Sequence, residues 1–113
     1  MAIIEILPSL ELEINKKFKG KSIQILQFLK TLENNPKKGK LLGVVGGIAI
    51  KELKYEGFRF YFITDNYKIH FLKVEELSDL LIKFVRMSNK KYQQKVIDEI
   101  RSILLEIGVD GLI

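Results

Sequence analysis

Apolar and polar residues alternate most sharply over Ile48–Ile63 (IAIKELKYEGFRFYFI), and this stretch predicts a β-hairpin. Ile48 and Ile50 alternate with Ala49 and Lys51 on one arm; Phe58, Phe60 and Phe62 alternate with Arg59, Tyr61 and Ile63 on the other. Glu56-Gly57 supplies the turn, because Gly57 tolerates the positive φ that a tight hairpin demands. The fold-back sets Arg59 across from Lys54 or Leu53 and predicts a sheet surface carrying Lys51, Lys54 and Arg59.

Ahead of the hairpin the period changes. Ala2–Leu7 reads as a short buried strand, and Pro8-Ser9 ends it, with Ser9 as the expected cap of a helix. Leu10, Ile14 and Phe18 are that helix's apolar stripe, with Glu11 and Glu13 toward its start and Lys16, Lys17 and Lys19 toward its end, as the helix dipole favours. Gly20 closes it. A second helix is expected from about Lys21 to Asn34 on the stripe Ile25, Leu29 and Leu32. Asn34–Gly47 (NNPKKGKLLGVVGG) holds four glycines in fourteen residues and reads as a loop into the sheet. It lacks the terminal Gly-Lys-Ser/Thr of a phosphate-binding loop.

Beyond the hairpin, Asp65-Asn66 predicts a turn and Tyr67–Lys73 (YKIHFLK) another strand. Glu75–Asp79 is a polar connection, and Leu80–Met87 (LLIKFVRM) is the most apolar strand candidate. Ser88 or Asn89 is the expected cap of a final helix to about Ile107, with Val96, Ile100, Ile103, Leu104 and Ile107 as its buried stripe and Gly108 as its terminator. The expected fold is a single α+β domain over residues 1–113. Its helical hairpin packs on one face of a twisted antiparallel sheet of four to five strands, and the last helix lies at the rim. Ile14, Ile25, Leu29, Phe60, Phe62, Phe84 and Ile100 are its predicted core.

Composition narrows the function classes. The chain of 113 residues is long enough for one core. No apolar run reaches the length of a membrane span and no basic segment precedes Ala2–Ile4, so a cytoplasmic location without membrane contact is the expectation. With no cysteine and only His70, neither a disulfide framework nor a thiolate or histidine metal site is expected, and no cofactor. The formal charge of +5 is unevenly spread. Residues 34–51 hold Lys37, Lys38, Lys40 and Lys51 with no acid, and residues 83–95 hold Lys83, Arg86, Lys90, Lys91 and Lys95 with none. Two basic windows on one surface would attract a polyanion such as nucleic acid, although lysine runs also serve simply as solvated surface.

No Ser–His–Asp or Cys–His set can be assembled. His70 reads as structural within its strand, and Glu52 lies between lysines where ion pairing is the expected role. What remains is cationic: Lys51, Lys54, Arg59, Lys83, Arg86, Lys90 and Lys91, with Tyr55, Tyr61 and Tyr92 near them. Such a set suits attack of an RNA 2′-hydroxyl on the adjacent phosphate. There the nucleophile belongs to the substrate, and the protein aligns it, stabilises phosphate charge and moves protons. Arginine is the better phosphate clamp, a lysine of lowered pKa can act as base, and tyrosine can stack or donate a proton. Tyr55 and Tyr61 read as sheet packing, Tyr92 as the first turn of a helix.

The element order strand–helix–helix–three strands–helix resembles the RelE/HigB-like superfamily of type II toxins. So do the NPKKGKLLG lead-in, I-K-E-L-K followed by G-F-R-F-Y-F, and F-V-R-M-S-N-K-K-Y before the last helix. The resemblance implies a RelE-like fold and cleavage of mRNA, commonly on the ribosome, with a small cognate antitoxin as partner. By position, Arg59 matches the family's phosphate-contacting strand arginine, Arg86 the transition-state arginine late in the last strand, and Tyr92 the tyrosine opening the final helix. Lys51 and Lys54 stand near the family's strand lysines, and Glu52-Leu53-Lys54 is similar to the Glu-Leu-Arg of the HigB-like branch. The implied catalytic set is Arg59, Arg86, Tyr92 and Lys54, with Lys51, Lys83, Lys90, Lys91, Lys38 and Lys40 binding RNA. Tyr67–Asp79 departs from compact members by adding an expected strand or hairpin between Arg59 and Tyr92. The alternative is a non-catalytic binding protein of the same fold, either gyrase-directed like the ParE type or a phage or accessory protein.

Overall fold

Ile48–Tyr55 (β3) and Phe58–Asp65 (β4) pair antiparallel in the register that brings Lys54 opposite Arg59 and Leu53 opposite Phe60. Glu56 and Gly57 form the turn with φ of 45° and 83°, the doubly left-handed geometry that matches the twist of the flanking strands. The computed structural model describes residues 1–113. Around the hairpin stand β1 (Ile3–Ile6), α1 (Pro8–Phe18), α2 (Ser22–Lys30), β2 (Lys40–Val45), α3 (Asn66–Phe71), β5 (Leu81–Asn89) and α4 (Gln93–Glu106). Single-turn 3-10 helices lie at Lys19–Lys21, Thr31–Glu33, Val74–Glu76 and Val109–Leu112.

The fold is α+β, but the sheet is mixed. Its order is β1-β5-β4-β3-β2; β2 to β5 pair antiparallel as expected of neighbours in sequence, while β1 runs parallel to β5, Ile3 opposite Leu81. An entirely antiparallel sheet is therefore not what forms. β1 finds its partner some eighty residues away, a pairing that local alternation does not encode.

Both faces of the sheet are covered. Phe18 of α1 packs edge-on against Phe58 at 5.0 Å between ring centroids and tilted against Phe60, and Phe28 of α2 meets Tyr55. The helical hairpin thus covers the face carrying Lys51, Leu53, Phe60 and Phe62. On the opposite face α4 reaches β3, β5 and β2 through Gln93–Glu52, Glu99–Arg86 and Arg101–Leu42 contacts. It crosses the second face rather than lying at the rim. All seven predicted core residues are fully enclosed. The buried positions of α4 are Ile97, Ile100 and Leu104, with Val96 and Ile103 half-buried and Ile107 exposed.

Four local expectations change. Pro8 opens α1 behind Leu7, and Ser9 makes no cap, because proline brings the helical φ and has no N–H to satisfy. Lys40–Val45 is a strand, not loop: Gly46 and Gly47, both with positive φ, make a tight turn that folds it onto β3. Tyr67–Phe71 is helical because the Asp65 carboxylate accepts the Lys68 N–H at 3.0 Å as an N-cap; His70 lies on that helix, exposed, its Nδ1 3.0 Å from the Asn66 carbonyl. Ser88 is buried in β5, and the Asn89 side chain accepts from the Tyr92 N–H at 3.1 Å, capping the turn before α4 rather than the helix itself.

Candidate nucleic-acid interface

Alternation along β3 and β4 decides which cations share a surface. Lys54, Arg59 and Ser88 stand in one row across β3, β4 and β5. Phe58 lies opposite Asn89, so Lys90, Lys91 and Tyr92 leave the sheet beside that row, at the hairpin-turn end. Lys40 is opposite Glu52, two residues from Lys54 on the same face. These seven residues lie toward one end of the sheet.

Lys51 does not join them. A period of two sends it to the opposite face from Lys54, where it is buried; its Nζ donates to the Lys37 carbonyl at 2.9 Å and sits 5.8 Å from the centre of the Phe62 ring. Burial, with a smaller push from Lys37, lowers its pKa below the ordinary lysine value. Lys38 is exposed on that side, 5.4 Å from the Phe28 ring centre. Lys83 stands toward the far end of β5 with Glu5 at 3.5 Å. Lys51 and Lys83 are therefore separated from the seven, whereas Lys38 lines one surface depression with Lys40 and Lys54.

The two candidate arginines, Arg59 and Arg86, are more enclosed than sequence alone indicates. Arg59 is 8% exposed; its Nη1 donates to the Gly57 carbonyl at 3.3 Å and its buried Nε has no partner. Arg86 donates to the Val85 and Leu112 carbonyls at 2.8 and 3.1 Å and pairs with Glu99 at 3.4 Å. Two observations explain its place. An extra residue in β5 between the partners of Tyr61 and Phe62 makes a β-bulge, and such bulges re-aim side chains; the terminal turn Val109–Leu112 then folds back against the strand. Tyr92 is open, 48% exposed, with Lys91 Nζ 5.5 Å from its ring centre.

A polar layer unforeseen from sequence lies under the first turn of α4. Tyr61, fully buried, shares a 2.7 Å hydrogen bond with Ser88. Burial raises the pKa of its phenol, Glu52 adding to the effect while the Ser88 bond and Arg59 oppose it. Glu52 is 2% exposed and accepts from Gln93 at 3.2 Å, its other oxygen unpartnered. The lysine pairing expected of Glu52 does not form, since Lys51 points through the sheet. An acid in the middle of a two-sided strand was the available signal for this layer. Its partner, forty-one residues on, was not legible.

No protein-family model matches the chain, and no significant match is found among curated proteins or solved structures. No helix is long and apolar enough to cross a membrane.

Proposed function

We propose that the protein is an RNA-directed toxin of the RelE/HigB-like kind, cleaving mRNA from the basic end of its sheet, held in check by a cognate antitoxin and acting on the ribosome in the cytoplasm. The observation that carries this reading is the row Lys54–Arg59–Ser88, with Lys90, Lys91 and Tyr92 emerging beside it. A planar, permanently charged guanidinium flanked by exposed lysines and an open aromatic ring suits a single-stranded phosphodiester chain. In this reading Arg59 and Arg86 stabilise phosphate charge, Tyr92 stacks or donates a proton, and Lys54 is the catalytic-set lysine that stands beside Arg59; Lys51 and Lys83 lie outside the site. Arg86 acts once Leu112 and Glu99 release it.

A second reading is favoured by that same enclosure. A protein whose arginines are held by Gly57, Leu112 and Glu99 can bind through its lysines without cutting, as a gyrase-directed or accessory protein of the same fold. Primer extension on a reporter mRNA after induction of wild type, Arg59→Ala, Arg86→Ala and Tyr92→Phe separates the two. An endoribonuclease gives discrete new 5′ ends that fade 10-fold or more in at least one arginine variant, because loss of one charge-stabilising donor costs about 2.7–4 kcal/mol. Intact transcript in every lane leaves only the binding role. Where a small reading frame adjoins the gene, its co-expression should rescue growth if it encodes the antitoxin; a protein harmless on its own would count against the toxin reading.

A further inference from the structure

α4 leaves part of its face of the sheet open at the end away from the hairpin turn, where Leu81 is 43% exposed. A cavity of ≈ 240 Å³ lies there. Its apolar wall includes Ile48 of β3, Ile63 of β4, Leu81 of β5 and Val109 of the terminal turn; Lys68 of α3, Asp79 and Lys83 bring charge to it. Two further polar groups beside it are already committed: the Thr64 hydroxyl donates to the Leu81 carbonyl at 2.8 Å, and the Asp65 carboxylate accepts the Lys68 N–H. Lys68 Nζ stands 3.8 Å from the Asp79 carboxylate, beyond hydrogen-bonding range. The Lys83 side chain is only 14% exposed, and its Nζ meets the half-exposed Glu5 carboxylate at 3.5 Å. An ammonium so enclosed, beside an apolar wall and with one long ion pair, has donors to spare, and its desolvation is offset only by further bonds.

We propose that this cavity binds a free α-amino acid with a branched aliphatic side chain, the size of leucine or isoleucine. It is independent of the RNA reading, for the cavity lies at the opposite end of β4 from the Lys54–Arg59–Ser88 row. Lys68 and Asp79 belong to Tyr67–Asp79, the segment by which the chain departs from compact RelE/HigB-like members. Size, charge and polarity converge on the same ligand. At roughly 30 Å³ per water molecule the cavity has room for about eight waters, the volume of one small metabolite and below the range of drug-sized pockets. The gap between Lys68 and Asp79 suits an ammonium and a carboxylate borne on one carbon, which bond crosswise, carboxylate to Lys68 and ammonium to Asp79. Lys83 supplies the carboxylate with a second donor. A plain carboxylate would face Asp79 unpaired, and a plain amine would face two lysines, so the mixed charges select against both. The side chain then lies on Ile48, Ile63, Leu81 and Val109, where a branched aliphatic group leaves water and glycine has nothing to bury.

The test is titration of the isotope-labelled full chain with L-leucine, followed by amide shifts in heteronuclear NMR spectra. Saturable shifts should appear at Ile48, Ile63, Lys68, Leu81 and Val109 and not at Arg59 or Ser88. Glycine lacks the side chain, isocaproate the amine and isoamylamine the carboxylate. Each should bind about 10-fold more weakly than leucine, because each forfeits one class of contact. Asp79 is 76% exposed, so Asp79→Ala should keep the fold; it should bring leucine and isocaproate to equal affinity while leucine still exceeds isoamylamine. Lys83→Met, which retains the apolar stem, should weaken leucine and isocaproate about 10-fold and leave isoamylamine unchanged. No saturable shift with leucine, or any of the three analogues binding wild type as tightly as leucine, overturns the site. So does an Asp79→Ala protein that still separates leucine from isocaproate, or a Lys83→Met protein that binds leucine as wild type does. None of these results touches the RNA reading, which primer extension decides on its own.

Discussion

Glu52 on β3 and Gln93 at the start of α4 share a hydrogen bond of 3.2 Å that ties the last helix to the sheet beneath it. Because Glu52 is 2% exposed and its second oxygen is already unpartnered, Gln93→Ala leaves a buried carboxylate with no protein donor. The expected cost is about 1–3 kcal/mol, the usual range for stranding a buried acceptor. Glu52→Leu combined with Gln93→Ala removes both partners and should recover most of that loss. Urea unfolding of the two single variants and the double variant checks it; purely additive losses would mean that the bond contributes nothing.

The Phe60 ring sits fully buried between β3 and β5 with Phe18 above it. Phe60→Ala should cost about 3–5 kcal/mol through lost burial and an unfilled cavity, and Phe60→Leu distinctly less. Thermal and chemical unfolding measure both. Equal losses would show that the site does not discriminate by volume.

Alkaline stability should report on Tyr61. At neutral pH, Tyr61→Phe forfeits the 2.7 Å bond to Ser88 at a cost of about 1 kcal/mol. Above a pH of about 10 the unfolded tyrosine loses its proton while the buried phenol, its pKa raised, keeps it. The native state then binds more protons than the unfolded state, so wild-type stability falls as pH rises through that region. Tyr61→Phe has no such group. The gap between the two proteins should narrow from pH 8 to 11 in denaturant titrations, and a constant gap would exclude a role for the phenol in the alkaline loss.

Glu56 occupies the hairpin turn at φ 45°, where a side chain other than asparagine, aspartate or glycine is disfavoured. Glu56→Asn should stabilise the protein by about 0.5–1 kcal/mol, part of the roughly 1–2 kcal/mol that left-handed backbone costs an ordinary residue. Differential scanning calorimetry should show a higher Tm. A fall would mean that the glutamate itself supports the turn.

Much of this architecture was already present in the order of side chains. The hairpin, its turn at Glu56-Gly57 and the opposition of Lys54 to Arg59 follow from a period of two closed by a glycine. The apolar stripes of α1 and α2 and the seven enclosed core residues follow from repetition with helical or strand spacing. The single surface expected for Lys51, Lys54 and Arg59 does not form, because the period of two sets Lys51 and Lys54 on opposite faces. Misreadings cluster where weak local signals compete. YKIHFLK alternates like a strand, but one capping carboxylate at Asp65 turns it into helix. The glycines before β3 suggested loop, although two of them make the turn that lets Lys40–Val45 pair.

Only the tertiary structure decided what depends on partners far apart in the chain. The parallel union of β1 with β5, the passage of α4 over the second face, the bond from Gln93 to Glu52 and the hold of Leu112 on Arg86 all link distant residues. The cavity shared by Ile48, Lys68 and Val109 is of the same kind. Periodicity states which side of its own element a residue occupies. Which element comes to cover that side is fixed by the burial of the whole core at once, and that is why the candidate residues were legible one by one while their grouping and enclosure were not.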